Sequence, residues 1–157
     1  MFVPIIMGSG SDLPHAEKIV KVLDTFGIES EVRVASAHKA ATFLLGILEA
    51  YEADPRAKVY ITIAGRSNAL SGMVDGHVLA PNIACPPYSS KFGGADLYSS
   101  LRMPSGVAPA TILEPASAAL LAAKILSLAH PELREKVRGV HAENLEKIKV
   151  SDGELQS

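Results

Sequence analysis

Three polar runs carry residue types able to bind an anion and move a proton: GSGSD at 8–12, ASAHK at 35–39 and AGRSNALSG at 64–72. His38, flanked by Ser36 and Lys39, can exchange a proton near neutral pH with a cation beside it for a phosphate; the other reading is a helix-capping histidine. Ser9 and Ser11 offer hydroxyls, and Asp12 a carboxylate suited to bridging two ribose hydroxyls. The small residues of this run let a phosphate approach free backbone N–H groups at a helix start, although a plain Ser/Gly turn with Asp12 as N-cap explains the same letters. Arg66 can pair with phosphate or carboxylate, or tie a loop down through carbonyls. The first run lacks the Gly-Lys-Ser/Thr ending of a Walker loop and fails G-x-G-x-x-G, so a dinucleotide is poorly supported. No G-x-S-x-G elbow is present, and no His, Cys or carboxylate pair has ligand spacing near the loops, which argues against a serine hydrolase and a metal site.

Each run follows a short apolar segment: Val3 to Met7, Glu31 to Val34 and Val59 to Ala64. In an open α/β sheet, ligands bind beyond the carboxyl ends of the strands, so three such ends are expected to build one site. Between them, Leu13, Ala16, Ile19, Val20, Leu23 and Phe26 recur at helical spacing until Gly27, and Leu44, Ile47, Leu48 and Tyr51 share a second helical face that Asp54-Pro55 ends. KVYITIA, apolar except for Lys58 and Thr62, suits a central parallel strand. A short helix is expected to start near Asn68 to Ser71, a fourth strand around Asn82 to Cys85 and a fifth over Val107 to Leu113, interrupted by Pro109. A loop of about twenty residues begins at Pro86-Pro87; loops this long are usually functional or form contacts between subunits. The alternation predicts one α/β domain over 1–157, a three-layer α/β/α sandwich with a central parallel sheet, flavodoxin-like or Rossmann-like, ending in a C-terminal helix.

Two further helices follow. Ala116 to Ala129 is apolar nearly all round and needs cover on more than one side, which a second copy of the chain can supply; a homo-oligomer with this helix in its interface is expected. Glu132 to Lys149 alternates charges, with Leu133, Val137, Val140 and Leu145 as its inner stripe. His15, His77, His130 and His141 fall in helices or helix ends and read as satisfied or solvated.

A formal net charge of −2 and a pI near 6.2 give no basic field for nucleic acid. No uncharged run approaches the ~20 residues needed to span a bilayer, and the N-terminal stretch lacks a basic region before its short apolar segment. The lone Cys85 reads as a small buried strand residue in a reducing compartment. No membrane partner and a cytoplasmic location are therefore expected.

In order, GSGSD, SAHK, AGRSNALSG, the CPP segment with FGGADLYSSLRMPSG, and the AALLAAKI helix resemble the phosphoribosylaminoimidazole carboxylase family of purine biosynthesis over about residues 3–150. The family has two classes, direct carboxylases and mutases. In the mutases the third loop reads like AGGAAHLPGM and the catalytic histidine is followed by arginine; AGRSNALSGM and Lys39 resemble the direct carboxylases, class II. The resemblance implies an enzyme, a carboxy-lyase joining CO2 to C4 of 5-aminoimidazole ribonucleotide (AIR) to give 4-carboxy-AIR, without biotin, ATP or metal. It further implies His38 as the group that takes the C4 proton. By the same resemblance the phosphate is expected near Ser9, Ser36 and Lys39 with Ser11 close by, the ribose hydroxyls near Asp12, and the reacting ring near Gly65, Arg66 and Ser67. The implied assembly is a homo-octamer whose sites are completed by neighbouring chains. Two other readings use the same loops: a mutase acting on N5-carboxy-AIR, and a non-catalytic ribonucleotide-binding module.

Overall fold

The computed structural model describes residues 1–156; Ser157, the last residue of the expected domain, lies outside them. Five parallel strands, β1 (Phe2–Met7), β2 (Glu29–Val34), β3 (Tyr60–Ile63), β4 (Asn82–Ala84) and β5 (Ala110–Thr111), form one sheet in the order β2-β1-β3-β4-β5. Parallel neighbours require a crossover, and the connections supply helices on both faces. The central parallel sheet between helical layers is the expected α/β/α sandwich.

Strand alternation sorts the core into two halves. Val3, Ile5 and Met7 of β1, with Ile61 and Ile63 of β3, face α1 (Leu13–Phe26), α5 (Pro115–Leu126) and the start of α6 (Glu132–Gln156). Phe2, Ile6 and Tyr60 face the other way, onto Leu44, Ile47, Leu48 and Tyr51 of α2 (Ala41–Glu52) and Leu70 and Val74 of α3 (Ala69–Asp75). All six β1 residues are buried, as a strand covered on both faces requires. Gly27 ends α1 in the left-handed region, at φ 68°, and Lys136 Nζ on α6 donates to the adjoining Phe26 carbonyl at 2.6 Å.

Several expectations change. The fifth strand shrinks to Ala110–Thr111 because Pro109 has no N–H to give the ladder and the Ala108 N–H turns to the Asp75 carboxylate at 2.7 Å. β2 starts earlier, at Glu29, and is an edge strand with charged residues outward. α5 ends at Leu126, and its second covering surface is already in the chain: Ala118, Ala119, Ala122 and Ala123 are fully buried in the cluster that α1 and α6 share. That helix therefore gives no independent reason for an oligomer. On α6, Leu133 is buried and Val137 and Val140 pack on the core, but Leu145 is exposed, because the helix has by then run past the body it packs on.

At the corner between α2 and β3, Asp54 accepts the Arg56 backbone N–H at 2.8 Å and its guanidinium at 2.6 Å, while Arg56 also pairs with Glu29 and stacks on Phe2. These hydrogen bonds from Arg56 hold the Asp54 carboxyl down at about 2, against an ordinary 3.8. The folded form thus binds this proton more weakly than the unfolded chain. Its stabilisation is complete above 3.8 and disappears as pH falls through about 2. Asp54→Asn is expected to flatten the pH dependence of the thermal midpoint across that window, and an unchanged acid limb in scanning calorimetry would remove the Asp54–Arg56 pair as its source.

Candidate functional site

In this strand order the chain reverses direction across the sheet between β1 and β3, and the loops leaving their carboxyl ends open a crevice there. The loop after β2, the neighbouring edge strand, reaches the same rim. A cavity of about 610 Å³ occupies the crevice. All nine residues singled out from the sequence line it: Ser9, Ser11, Asp12, Ser36, His38, Lys39, Gly65, Arg66 and Ser67. The Gly10 backbone lies outside.

Each loop is built by its own side chains. In the first, Ser9 Oγ accepts the Ser11 N–H at 3.3 Å and lies 2.9 Å from Ser11 Oγ, closing a tight turn over Gly10–Asp12. Asp12 was expected to cap α1 but makes no side-chain cap bond; Ser9, one turn earlier, starts the helical segment instead. Asp12 therefore keeps its carboxylate on the cavity wall. Burial lifts its carboxyl above the ordinary value, with His15 and the Ser9 backbone pulling it down.

In the second loop, Ser36 accepts the Ala40 N–H on its carbonyl at 2.9 Å and the Lys39 N–H on its hydroxyl at 3.3 Å. This turn throws His38 and Lys39 outward over the cavity. The capping alternative for His38 is not realised, since α2 begins after Ala40 with no side-chain cap. No ion pair among the described residues involves Lys39 or Arg66. Both cations stand at the cavity with their charge uncompensated by a paired side chain, which favours an anionic ligand.

Arg66 is the single non-glycine among the described residues with positive φ, at 59°. An L side chain there costs roughly 1–2 kcal/mol, so the surrounding structure must hold it. The hold comes from the long β4–β5 loop. Asp96 Oδ2 accepts the Arg66 N–H at 3.4 Å, and Ser99 Oγ on α4 (Tyr98–Leu101) accepts the Asn68 N–H at 3.0 Å. Ser99 Oγ is also within donating distance of two carbonyls, that of Asp96 at 2.8 Å and that of Arg66 at 3.3 Å. The tie between Arg66 and the long loop therefore runs through the Arg66 backbone, with Asp96 and Ser99 as the loop's partners.

Beneath the loop, Asn68 is buried. Its Oδ1 accepts the Ser71 N–H and hydroxyl, each at 3.0 Å, and its Nδ2 donates to Ser100 Oγ at 2.9 Å. Ser71 Oγ lies 2.8 Å from Thr62 Oγ1, and Asn82 Nδ2 donates to the Ser71 carbonyl at 2.9 Å. This chain of hydrogen bonds joins β3, β4, α3 and α4 under the cavity floor. Thr62, the polar break in an otherwise apolar strand, is its β3 member.

Sequence reasoning missed the far wall, made of Pro87, Tyr88, Ser89, Lys91, Phe92 and Asp96 from the long loop. Its length pointed to function, but no residue type within it stood out. Cys85 is buried as expected, and burial, with the Glu114 charge, pushes its thiol up to about 12. His15 is satisfied, its Nε2 3.3 Å from Cys85 Sγ across the helix–strand interface. Among the described residues, no group of three or more His, Cys, Asp or Glu side chains is placed to hold a metal ion, and no helix is long and apolar enough to cross a membrane.

A family model described as AIR carboxylase matches residues 2–147. The chain is 56% identical over 154 residues to the phosphoribosylaminoimidazole carboxylase of Treponema denticola, covering 98% of this chain and 97% of that one. It is 51% identical to the enzyme of the same name from Archaeoglobus fulgidus, covering 97% and 83%. The crystal structure of Treponema denticola PurE superimposes with a TM-score of 0.97 over 99% of both chains, at 56% identity.

Proposed function

The chain belongs to the AIR carboxylase family, and from that premise we propose that it joins CO2 directly to C4 of AIR, giving 4-carboxy-AIR. The observation that carries this reading is the convergence of His38, Lys39, Arg66, Ser9, Ser11 and Ser36 on one crevice at the strand ends.

The aminoimidazole ring is enamine-like at C4. Its electron pair forms the new C–C bond to the CO2 carbon while one C=O pair moves onto oxygen as carboxylate. The adduct still carries the C4 proton, and removing it returns the electrons to the ring and restores aromaticity. His38 takes that proton and, in the reverse direction, gives it back. CO2 offers little polarity to grip, so the protein's main work is to hold the ribonucleotide and keep water from the reacting face. Ser9, Ser11, Ser36 and Lys39 hold the phosphate at the α1 end of the crevice, Asp12 the ribose hydroxyls. Gly65, Arg66 and Ser67 line the ring pocket, with the guanidinium facing the forming carboxylate.

The sequence around the site supports direct carboxylation over carboxylate migration, through Lys39 after the histidine and Arg66-Ser67-Asn68 in the third loop. The resemblance supports a cytoplasmic homo-octamer as the working form. In buffer stripped of CO2, purified N5-carboxy-AIR is expected to give no 4-carboxy-AIR, whereas AIR with bicarbonate gives product, followed by ultraviolet absorbance. Direct conversion of the N5-carboxy compound would make the enzyme a mutase. Tight AIR binding with no absorbance change on adding bicarbonate would make it a binding module.

A further inference from the structure

The strongest unexplained feature is the arginine held at φ 59° by a loop from the other side of the sheet's switch point. Glycine is the residue that takes this conformation freely. An arginine in its place, pinned through backbone groups on both sides, marks a position where the side chain's direction matters more than the backbone's comfort. The pinning groups are specific. Asp96 takes the Arg66 N–H, while the Ser99 hydroxyl takes the Asn68 N–H and is within donating distance of the Arg66 and Asp96 carbonyls. Ser99 does not line the cavity; its reach to the site runs wholly through the 66–68 backbone.

We infer that Ser99 and Asp96 are positioning residues: they clamp the Arg66 peptide in the left-handed region, and this fixes the guanidinium over the ring pocket. The inference rests on the role given to Arg66 above. Releasing the clamp lets the backbone relax to negative φ, which swings the side chain away from the pocket and leaves the fold standing.

The test is a double-mutant cycle on the full-length enzyme with Ser99→Ala, Arg66→Gly and the pair, reading kcat, KM and the dissociation constant for AIR. Ser99→Ala is expected to lower kcat/KM roughly tenfold at an almost unchanged thermal midpoint, and to cost under about threefold when Arg66 is already glycine. Ser99→Thr, which keeps the hydroxyl, is expected to restore most of the loss. Equal losses in the two backgrounds, or an inactive threonine variant that is well folded, would overturn the clamp, as would an Arg66→Gly enzyme with full activity. Absence of AIR carboxylation by the unaltered enzyme would instead overturn the proposed reaction; the coupling between positions 99 and 66, read in AIR affinity, still decides the clamp.

Discussion

His38→Asn is expected to lower formation of 4-carboxy-AIR about 10²–10⁴-fold while AIR affinity changes by less than about threefold. The substitution suits the site. Asparagine fills much of the imidazole's volume, is at home in a turn, and keeps a hydrogen-bonding group, yet it cannot take a proton at neutral pH. The turn itself is closed by Ser36, not by His38, so its geometry survives. On the proposed reading the ribonucleotide is held by other residues that line the cavity, which is why binding and turnover should separate. Initial rates with AIR and bicarbonate, alongside calorimetric titration with AIR, check both halves. Ordinary turnover in this variant would end the proton-transfer role, and lost binding would make His38 a ligand group.

The second large effect lies below the site. Asn68→Ala is expected to destabilise the protein by about 2–4 kcal/mol, from loss of the α3 cap together with buried partners left unsatisfied. Removing this one side chain strands the Ser71 N–H and takes a partner from Ser71 Oγ and Ser100 Oγ in a region closed to water. Activity should fall as well, because Asn68 is where the third loop is anchored to α3 and α4. Urea unfolding monitored by circular dichroism measures the first effect. A variant within about 0.5 kcal/mol of the parent would mean that the network is not a structural tie.

The contrast between these residues shows what the sequence could tell. His38, Lys39 and Arg66 were readable because they stand in polar runs that each follow a short strand-like segment, buried in β1 and β3 and at the sheet edge in β2. The two faces of the sheet followed from period-two and period-3.6 patterns, and α1 ended at Gly27 where the pattern stopped. Asp12 was misjudged as a cap because Ser9 competes for the same task from three residues earlier, and a serine-rich run does not say which oxygen wins. Asn68 was legible as a helix start, but its burial as support beneath the third loop was not. Asp96 and Ser99 were illegible: they act through hydrogen bonds to residues about thirty positions away, and nothing local marks such partners. The cover that α1 and α6 give α5 was illegible for a similar reason, since an apolar helix announces that it needs neighbours but not whose they are.

The place of β1 in the sheet has a further consequence, for the chain's synthesis. β1 is wholly buried between β2 and β3, and the cluster on one of its faces includes α5 and Leu133. During translation this strand leaves the ribosome well before the helices that shield it, and parallel pairing through long crossovers closes slowly. For that interval the nascent polypeptide carries an uncharged, β-prone segment, Phe2 to Met7, with its lateral hydrogen-bonding groups unspent. Its only internal brake is Pro4, which withholds one donor from any neighbour. Yield from an expression host should thus depend on holdase chaperones and growth temperature more than the stability of the finished enzyme would suggest.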